Sequence, residues 1–558
     1  MLDQNPLSRA WAALTTHTPL HTLVYAIVGV YLARFVYTTF LYARFFSPLR
    51  KMPGPSYGHW LLGRLPEVVT GEAGSAVTAW TEQYGRSIRF MGMLGVERVC
   101  FLNYKDLKQI LVDEPYRFPK PKWAAHLLGV TAGYGLLTLE NAEHSALRRF
   151  MNPAFAFKYL EMQFPLYLGP VNGLIEIYKD KLKEAGDPEE GTVIELTHGV
   201  NACLLDIICS TAFGYETDHL HNPHEPLGES YETLVNLQNG FNMGRIIAIL
   251  GLPFGPQVVQ WAVKQEWTGK GAMALVHKLG LGKGFSELGL FLTHMYRVNK
   301  ISREMLETKL AEAKKLREAG QTDLDSGKID ILSLLAKASL DENSPYKMDQ
   351  KLLEAQVLTF LGAGHETTAS GMAWAMWELA NHQDVQAKLR AECQEILSVS
   401  AEPTYAQIKD AKYLHNFVME VMRLRPPTPQ TARVASVDST IGGRFIPRGT
   451  EIYIPNLTIN TQKDVWGDDA KEFRPERWDD LPKEYNSSMS LLTFIVGAHS
   501  CPGRNMAVHE LKVLCCMMVA NFELHKTSPD QTVKSVAAIT WKPDGGLSLR
   551  LKRTTWSS

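Results

Sequence analysis

The chain has 558 residues, 45% of them hydrophobic and 21% charged, which is enough apolar residue for a large buried core. Its net charge of −1 leaves no global attraction for nucleic acid, so any electrostatic partner must meet a local patch. Seven scattered cysteines (Cys100, Cys203, Cys209, Cys393, Cys501, Cys515 and Cys516) show no CxxC or Cys/His spacing. That pattern excludes a zinc module and a disulfide framework, and suits a reducing compartment with one special thiol.

In chain order, Leu23 to Tyr42 comes first: 20 residues with one charge, Arg34, about the length that crosses a bilayer. A central Arg costs roughly 2.5–3.5 kcal/mol on insertion scales. The alternative span therefore runs from Trp11 to Ala33, with Arg34 to Phe46 along the interface. Arg44, Arg50 and Lys51 follow and put the downstream chain on the cytosolic side. Pro53-Gly-Pro55 then breaks the anchor and linker, residues 1–52, from one domain over residues 53–558.

Strand-like runs at Ser87–Phe90 and Arg98–Leu102 predict a small sheet near the anchor. Trp123 to Tyr134 reads as an apolar loop. In the helix that follows, His144 and Arg148 are four apart and share a face. They are either an anion-holding pair or a solvated basic face. Residues 155–340 are mostly helical in pattern. Trp267–Ala272 and Leu279–Phe285 are glycine-rich but complete no phosphate-loop or dinucleotide fingerprint, and read as loops. Arg303–Glu318 interleaves charges and reads as an exposed helix.

From Asp349 to Asn381 no proline interrupts. The stretch predicts a helix about 45 Å long, capped by Asp349 and ended by Asn381. It is apolar on most sides and therefore buried. Ala363-Gly-His-Glu-Thr-Thr368 breaks this pattern. Gly364 leaves space for a ligand against the backbone. Thr367 can bond back to a carbonyl or turn outward and loosen the helix, and a buried Glu366 needs a partner. A second helix, Lys412 to Arg425, follows a capping box at Thr404–Gln407 and carries Glu420 and Arg423 on one face. Pro426-Pro-Thr-Pro429 stops it, Arg433 leads into strands, and Phe473-Arg-Pro-Glu-Arg-Trp478 is irregular. In Phe494–Arg504, Cys501 sits where a loop turns into a helix. Pro502 suits the first helical position, which makes Cys501 the N-cap, and the helix dipole there favours thiolate. Gly497 and Gly503 flank the sulfur. The plain alternative is a buried, inert cysteine.

Ala363–Thr368, Glu420-Val-Met-Arg423, Phe473–Arg477 and Phe494-x-x-Gly-x-His-x-Cys-x-Gly503, in this order and spacing, resemble the haem-thiolate monooxygenases, the cytochromes P-450, in their fungal microsomal form. The resemblance implies a mainly α fold with a small β region (α+β). Haem b would lie between the long central helix and the cysteine-loop helix, after an N-terminal transmembrane helix. It implies Cys501 as axial thiolate and metal ligand, with Phe494 near the sulfur and Gly497 and Gly503 leaving room for the macrocycle. Arg433, His499, His144 and Arg148 become donors to the haem propionates. Glu420, Arg423 and Arg477 become a structural network beside the haem. Glu366 and Thr367 become the proton-delivery pair, and Thr368 a packing hydroxyl. His499, His144 and Glu366 stand where Arg, Trp and Asp are usual. Each keeps a donor or a carboxyl.

A thiolate on haem iron pushes electron density onto bound O2 and favours its cleavage. No flavin, dinucleotide or iron–sulfur motif is present in the sequence, so the electrons must come from an NADPH-dependent reductase in the membrane. Arg148, Arg149, Lys471, Arg504 and Lys512 are the candidate docking charges. The expected substrate is a hydrophobic small molecule, a fatty acyl chain, terpenoid, sterol-like lipid or other secondary metabolite, hydroxylated or epoxidised. It would be lined by Trp123–Tyr134, Phe360, Ala363, Pro429–Ala432 and Ala538–Trp541, with Thr431 and Thr540 as orienting groups. The expected state is a monomer on the endoplasmic reticulum membrane, single-pass, with the catalytic domain cytosolic. A peroxide-rearranging isomerase and a non-catalytic haem sensor are the rivals, and the Glu366–Thr367 pair argues against both.

Overall fold

The structure, a computed structural model, describes residues 19–238, 240–279, 282–319, 330–341, 346–537 and 539–554. The fold is mainly helical with small sheets, as the sequence predicts. An α-helix over Pro19–Val36 continues as a π-helical segment, Tyr37–Phe46. Within it Thr22–Phe46 is apolar enough to cross a membrane. It extends past the predicted Tyr42, and the alternative start at Trp11 lies outside the described residues. Leu23, Val30 and Tyr31 are exposed, whereas Thr39 and Ala43 are buried against the body of the protein. There the Arg89 guanidinium donates to the Ala43 carbonyl at 2.6 Å.

The predicted sheet near the anchor has four strands, in the spatial order Ser87–Met91, Glu97–Phe101, Glu451–Ile454, Thr431–Val434. Its outer pairs are antiparallel and its central pair is parallel, with Arg98 opposite Glu451. Strand Trp541–Pro543 pairs with Ser535–Ala537 in a separate hairpin. The long helix runs unbroken over Gln350–Asn381, and the Asp349 carboxylate accepts from the Leu352 N–H at 2.8 Å as its cap. Met372, Trp374 and Met376 bury with Cys515 and Met518 of the last helix, Arg504–Asn521. Each such side chain contributes about 1.5–3 kcal/mol of transfer free energy.

Several elements differ from expectation. Trp123–Tyr134 is not a loop: Lys122–Ala132 is helical, closed by Gly133 at φ +77°. Its Ala and Leu residues are strong helix formers, and no proline falls after Pro121. Trp267–Ala272 lies inside a helix, Glu266–Leu279. A Cβ on Gly269 would stand 2.8 Å from the Thr293 nitrogen, so this glycine serves close helix packing rather than a loop. Of Leu279–Phe285, residues 280–281 lie outside the described residues, and a helix over Lys283–Glu318 begins after Gly282. Its predicted exposed part, Arg303–Glu318, buries one face through Met305, Leu306 and Ala313. The capping box at Thr404–Gln407 is present. It caps a short helix, Tyr405–Asp410, and Ala411 separates that from Lys412–Leu424.

Candidate active site

A cavity of about 1360 Å³ receives Phe494, Cys501 and Gly503 from the cysteine loop, and Phe360, Ala363 and Thr367 from the long helix. Cys501 is the cysteine that faces it. The other described cysteines are buried. Its thiol lies beneath the protein surface but is open to the cavity. The turn places Cys501 two residues before the cap: Gly503 is the N-cap and Arg504 starts the helix, a correction to the expected N-cap cysteine. Burial pushes the Cys501 thiol up, against the opposing pull of the Gly503 N–H, Arg148 and Arg504. In the protein alone, desolvation thus outweighs the helix terminus that was expected to favour thiolate.

The two glycines differ in role. Around Gly503 a Cβ would meet only the Cys501 sulfur, at 4.0 Å, so the space there is open. At Gly497 (φ +76°) a Cβ would stand 2.0 Å from the Leu111 carbonyl oxygen. Gly497 lets the loop press on the Leu111 backbone, instead of making room for a ligand. Gly364 is corrected in the same way: its Cβ would strike the Ile208 side chain at 2.7 Å, so it lets helix Thr197–Phe213 approach the long helix.

Ala363 and Thr367, one turn apart, both face the cavity. The Thr367 hydroxyl donates to the Ala363 carbonyl at 2.8 Å, and Thr368 donates to Gly364 at 3.1 Å. The helix absorbs both bonds without the predicted loosening. Glu366 is buried and fully partnered. It accepts from the Thr540 hydroxyl at 2.7 Å and the Gln238 amide at 3.2 Å, with the Lys542 ammonium 3.9 Å away. Thr540 therefore spends its hydroxyl on Glu366 and is not a free substrate-orienting group. Thr431 accepts from Arg433 at 3.2 Å.

Basic side chains gather on one side of the cavity. His144, Arg148, Arg433 and His499 line it as predicted, and Lys120 joins them. The His144 and His499 rings stack at 4.3 Å. His144 also contacts the Tyr116 hydroxyl at 3.0 Å, and Arg148 donates to the Ser500 carbonyl at 2.5 Å. Burial pushes Lys120 down to about 8, with Arg433 adding to the effect, and Arg433 down to about 10. His144 falls to about 4 through burial and the neighbouring His499. Glu140 is the acid set among them, 3.2 Å from His499. Burial would raise it, but the His499 hydrogen bond and the Lys120 charge hold it below the usual carboxylate range. Lys120 and Glu140 escaped the sequence reading. The one local signal is Pro119-Lys-Pro121, a backbone fixed on both sides of the lysine.

Glu420, Arg423 and Arg477 come together as predicted, outside the cavity lining. The Glu420 carboxylate accepts from Arg423 at 2.7 and 2.8 Å, Arg477 at 3.3 Å, Trp478 at 3.0 Å and the Arg474 N–H at 3.0 Å. Among the docking charges, Lys512 is withdrawn: it is buried and donates to the Lys409 carbonyl at 2.9 Å. Of the predicted substrate lining, Trp123, Phe360, Ala363, Pro429–Ala432 and Thr540 face the cavity. Tyr134 and Trp541 do not, and Ala538 lies outside the described residues. Helix Lys122–Ala132 is held at both ends. The Trp123 indole donates to Glu451 at 2.8 Å, and the Ala132 carbonyl accepts from Thr359 at 2.8 Å.

A mainly helical chain with one cavity-facing cysteine ahead of its last long helix has the architecture of the haem-thiolate oxidoreductases. The family model for cytochrome P-450 matches residues 52–250 and 276–548, and the chain belongs to that family. It is 28% identical to cytochrome P-450 monooxygenase 205 of Postia placenta, over 89% of this chain and 90% of the relative. It is also 28% identical to cytochrome P-450 monooxygenase sphH of Aspergillus fumigatus, over 94% and 92%. To monooxygenase FUM15 of Gibberella moniliformis it is 26% identical, over 95% and 93%. The chain is thus a cytochrome P-450 monooxygenase. The family implies a haem-thiolate cofactor, O2, a redox partner and a hydrophobic substrate. The residues present fit such a cofactor: a thiol open to a large apolar cavity, free space at Gly503, and five basic side chains gathered on one side of it.

Proposed function

We propose that this chain is a membrane-anchored haem-thiolate monooxygenase that inserts one oxygen atom from O2 into a hydrophobic lipid, terpenoid or other secondary metabolite. Residues 1–52 are anchor and linker, and residues 53–558 form one haem-binding domain that works as a monomer on the cytosolic face of the endoplasmic reticulum. The carrying observation is that Cys501, Thr367 and the basic cluster open onto one cavity of about 1360 Å³. Cys501 would hold the iron of haem b, while Arg148, Arg433, His144, His499 and Lys120 would hold its carboxylates. Phe494 lies under the Arg504 guanidinium, 5.7 Å from ring centroid to cation, and shields the sulfur side. Glu420, Arg423 and Arg477 brace the chain beside this site.

When bound, the haem supplies the electron-rich centre at which O2 is activated. The protein's part is to exclude bulk water and to move protons. Glu366 takes up a proton from solvent and relays it toward the cavity, and the Thr367 hydroxyl, released from the Ala363 carbonyl, holds it there. Electrons come from NADPH through a separate reductase, for which Arg149, Lys471 and Arg504 are the remaining surface charges.

Cys501→Ala should abolish the thiolate-specific shift of the reduced carbon monoxide complex, and a retained shift would refute the ligand assignment. A screen of hydrophobic compounds for a spin-state change in the haem spectrum tests the substrate class.

A further inference from the structure

Glu366 is held by residues from two distant elements, and their arrangement has a consequence for proton delivery. Strand Trp541–Pro543 is fastened to the long helix through its first residue: the Trp541 carbonyl accepts from Ser370 at 2.6 Å and from the Trp374 indole at 2.7 Å. Its N–H donates to the Pro427 carbonyl at 2.8 Å. With Trp541 pinned, the residues on either side of it turn toward Glu366. The Thr540 hydroxyl donates to Glu366 Oε1 at 2.7 Å, and Lys542 Nζ stands 3.9 Å from the same oxygen. Lys542 is itself oriented by the Val235 carbonyl, 3.0 Å away. Burial pulls this lysine down, and Glu366 opposes that pull. The Gln238 amide takes the other oxygen at 3.2 Å. Thr367 offers Glu366 nothing here, because its hydroxyl proton goes to Ala363.

We propose that Thr540 and Lys542 are positioning residues for proton delivery, fixing the Glu366 carboxylate beside the cavity through the pinned C-terminal strand. The proposal rests on Glu366 as proton donor. A glutamate side chain on a helix has three rotatable bonds, and a buried carboxylate follows its strongest partners. Without the Thr540 donor, one oxygen keeps only Lys542, and the carboxylate turns toward the ammonium and away from the cavity wall. A positioned general acid is worth roughly 10²–10⁴-fold, and small displacements forfeit much of it.

The test uses the full chain with an NADPH–P-450 reductase in phosphatidylcholine vesicles, without added substrate. One measurement is the fraction of consumed NADPH recovered as hydrogen peroxide. The other is the infrared band of the Glu366 carboxylate, identified by subtracting the Glu366→Gln spectrum. Thr540→Val and Lys542→Met should each move the band. Thr540→Val should also lower the electron flow to water relative to peroxide by about tenfold. Thr540→Ser should restore both readouts, with haem content unchanged throughout. A band unmoved in both variants overturns the proposal. So does a moved band with an unchanged peroxide fraction, provided Glu366→Gln raises that fraction; Glu366 then remains the donor without the clamp. If Glu366→Gln leaves the fraction unchanged, the donor reading fails and takes the proposal with it.

Discussion

Replacing Glu420 with Gln tests the network beside the site. The carboxylate accepts five hydrogen bonds: two from Arg423 and one each from Arg477, Trp478 and the Arg474 N–H. The side chains of Arg423 and Glu420 are 0% exposed and that of Arg477 is 1% exposed, so no water can replace a lost partner. Arg477 would keep one carboxylate, Asp469 at 3.1 Å, whereas Arg423 would keep only backbone carbonyls such as Asn460 and Glu472. Removing one partner of a buried ion pair costs about 3–5 kcal/mol. Gln retains one oxygen, so the lower end applies, about 3 kcal/mol, or roughly a hundredfold in the folded-to-unfolded ratio. The assay is urea unfolding followed by tryptophan fluorescence, with haem content read from the carbon monoxide complex. Glu420→Gln should unfold at clearly lower urea and carry less haem. A midpoint and haem content equal to wild type would show that the buried charges are neutralised in some other way.

Three further outcomes are expected. Burial pushes the Glu510 carboxyl up to about 8, against the usual 4.5, with Thr368 as its hydrogen-bonding neighbour pulling it back. Folding therefore takes up a proton between these values. This contribution to stability is full below about 4.5 and is lost as pH rises through about 8. Glu510→Gln should remove a pH-dependent loss on the order of a few kcal/mol, and an unchanged slope in unfolding titrations would refute it. Gly497→Ala should cost at least about 1–2 kcal/mol from the left-handed backbone alone, before the clash with Leu111, and lower the thermal midpoint; an unchanged midpoint contradicts the close approach. Deleting residues 1–36, which spares the buried Thr39 and Ala43, should move the protein from the membrane pellet to the supernatant, and continued pelleting would show a second membrane contact.

Much of the site was legible because its signals are local. Asp349 caps the long helix, Thr404 and Gln407 form their box, and Glu420 and Arg423 pair across one helical turn. Each is a short-range rule that tertiary packing left intact. The partners of Glu366 were not legible: Gln238 and Thr540 lie 128 and 174 residues away, and no local pattern links them. The glycines misled for a related reason. A glycine marks a close approach, but Gly364, Gly497 and Gly269 approach Ile208, Leu111 and Thr293, not a ligand. Lys120 and Glu140 were not singled out, because only the fold sets them beside Arg433 and His499. Helix Lys122–Ala132 was read as a loop because its apolar residues face two ways, toward the cavity and, through Val130, toward the core.

That helix is a beam pinned at both ends, by Trp123 on Glu451 and by Ala132 on Thr359. A beam so held is poorly suited to adjust by sliding or tilting. The room it leaves is set by the side chains on its inward edge, Ala124, Leu128 and Thr131, which recur at helical spacing. The volume of the cavity along this wall then changes in discrete steps, one residue at a time. Exchanges at these three positions reshape the chamber while both end fastenings stay in place.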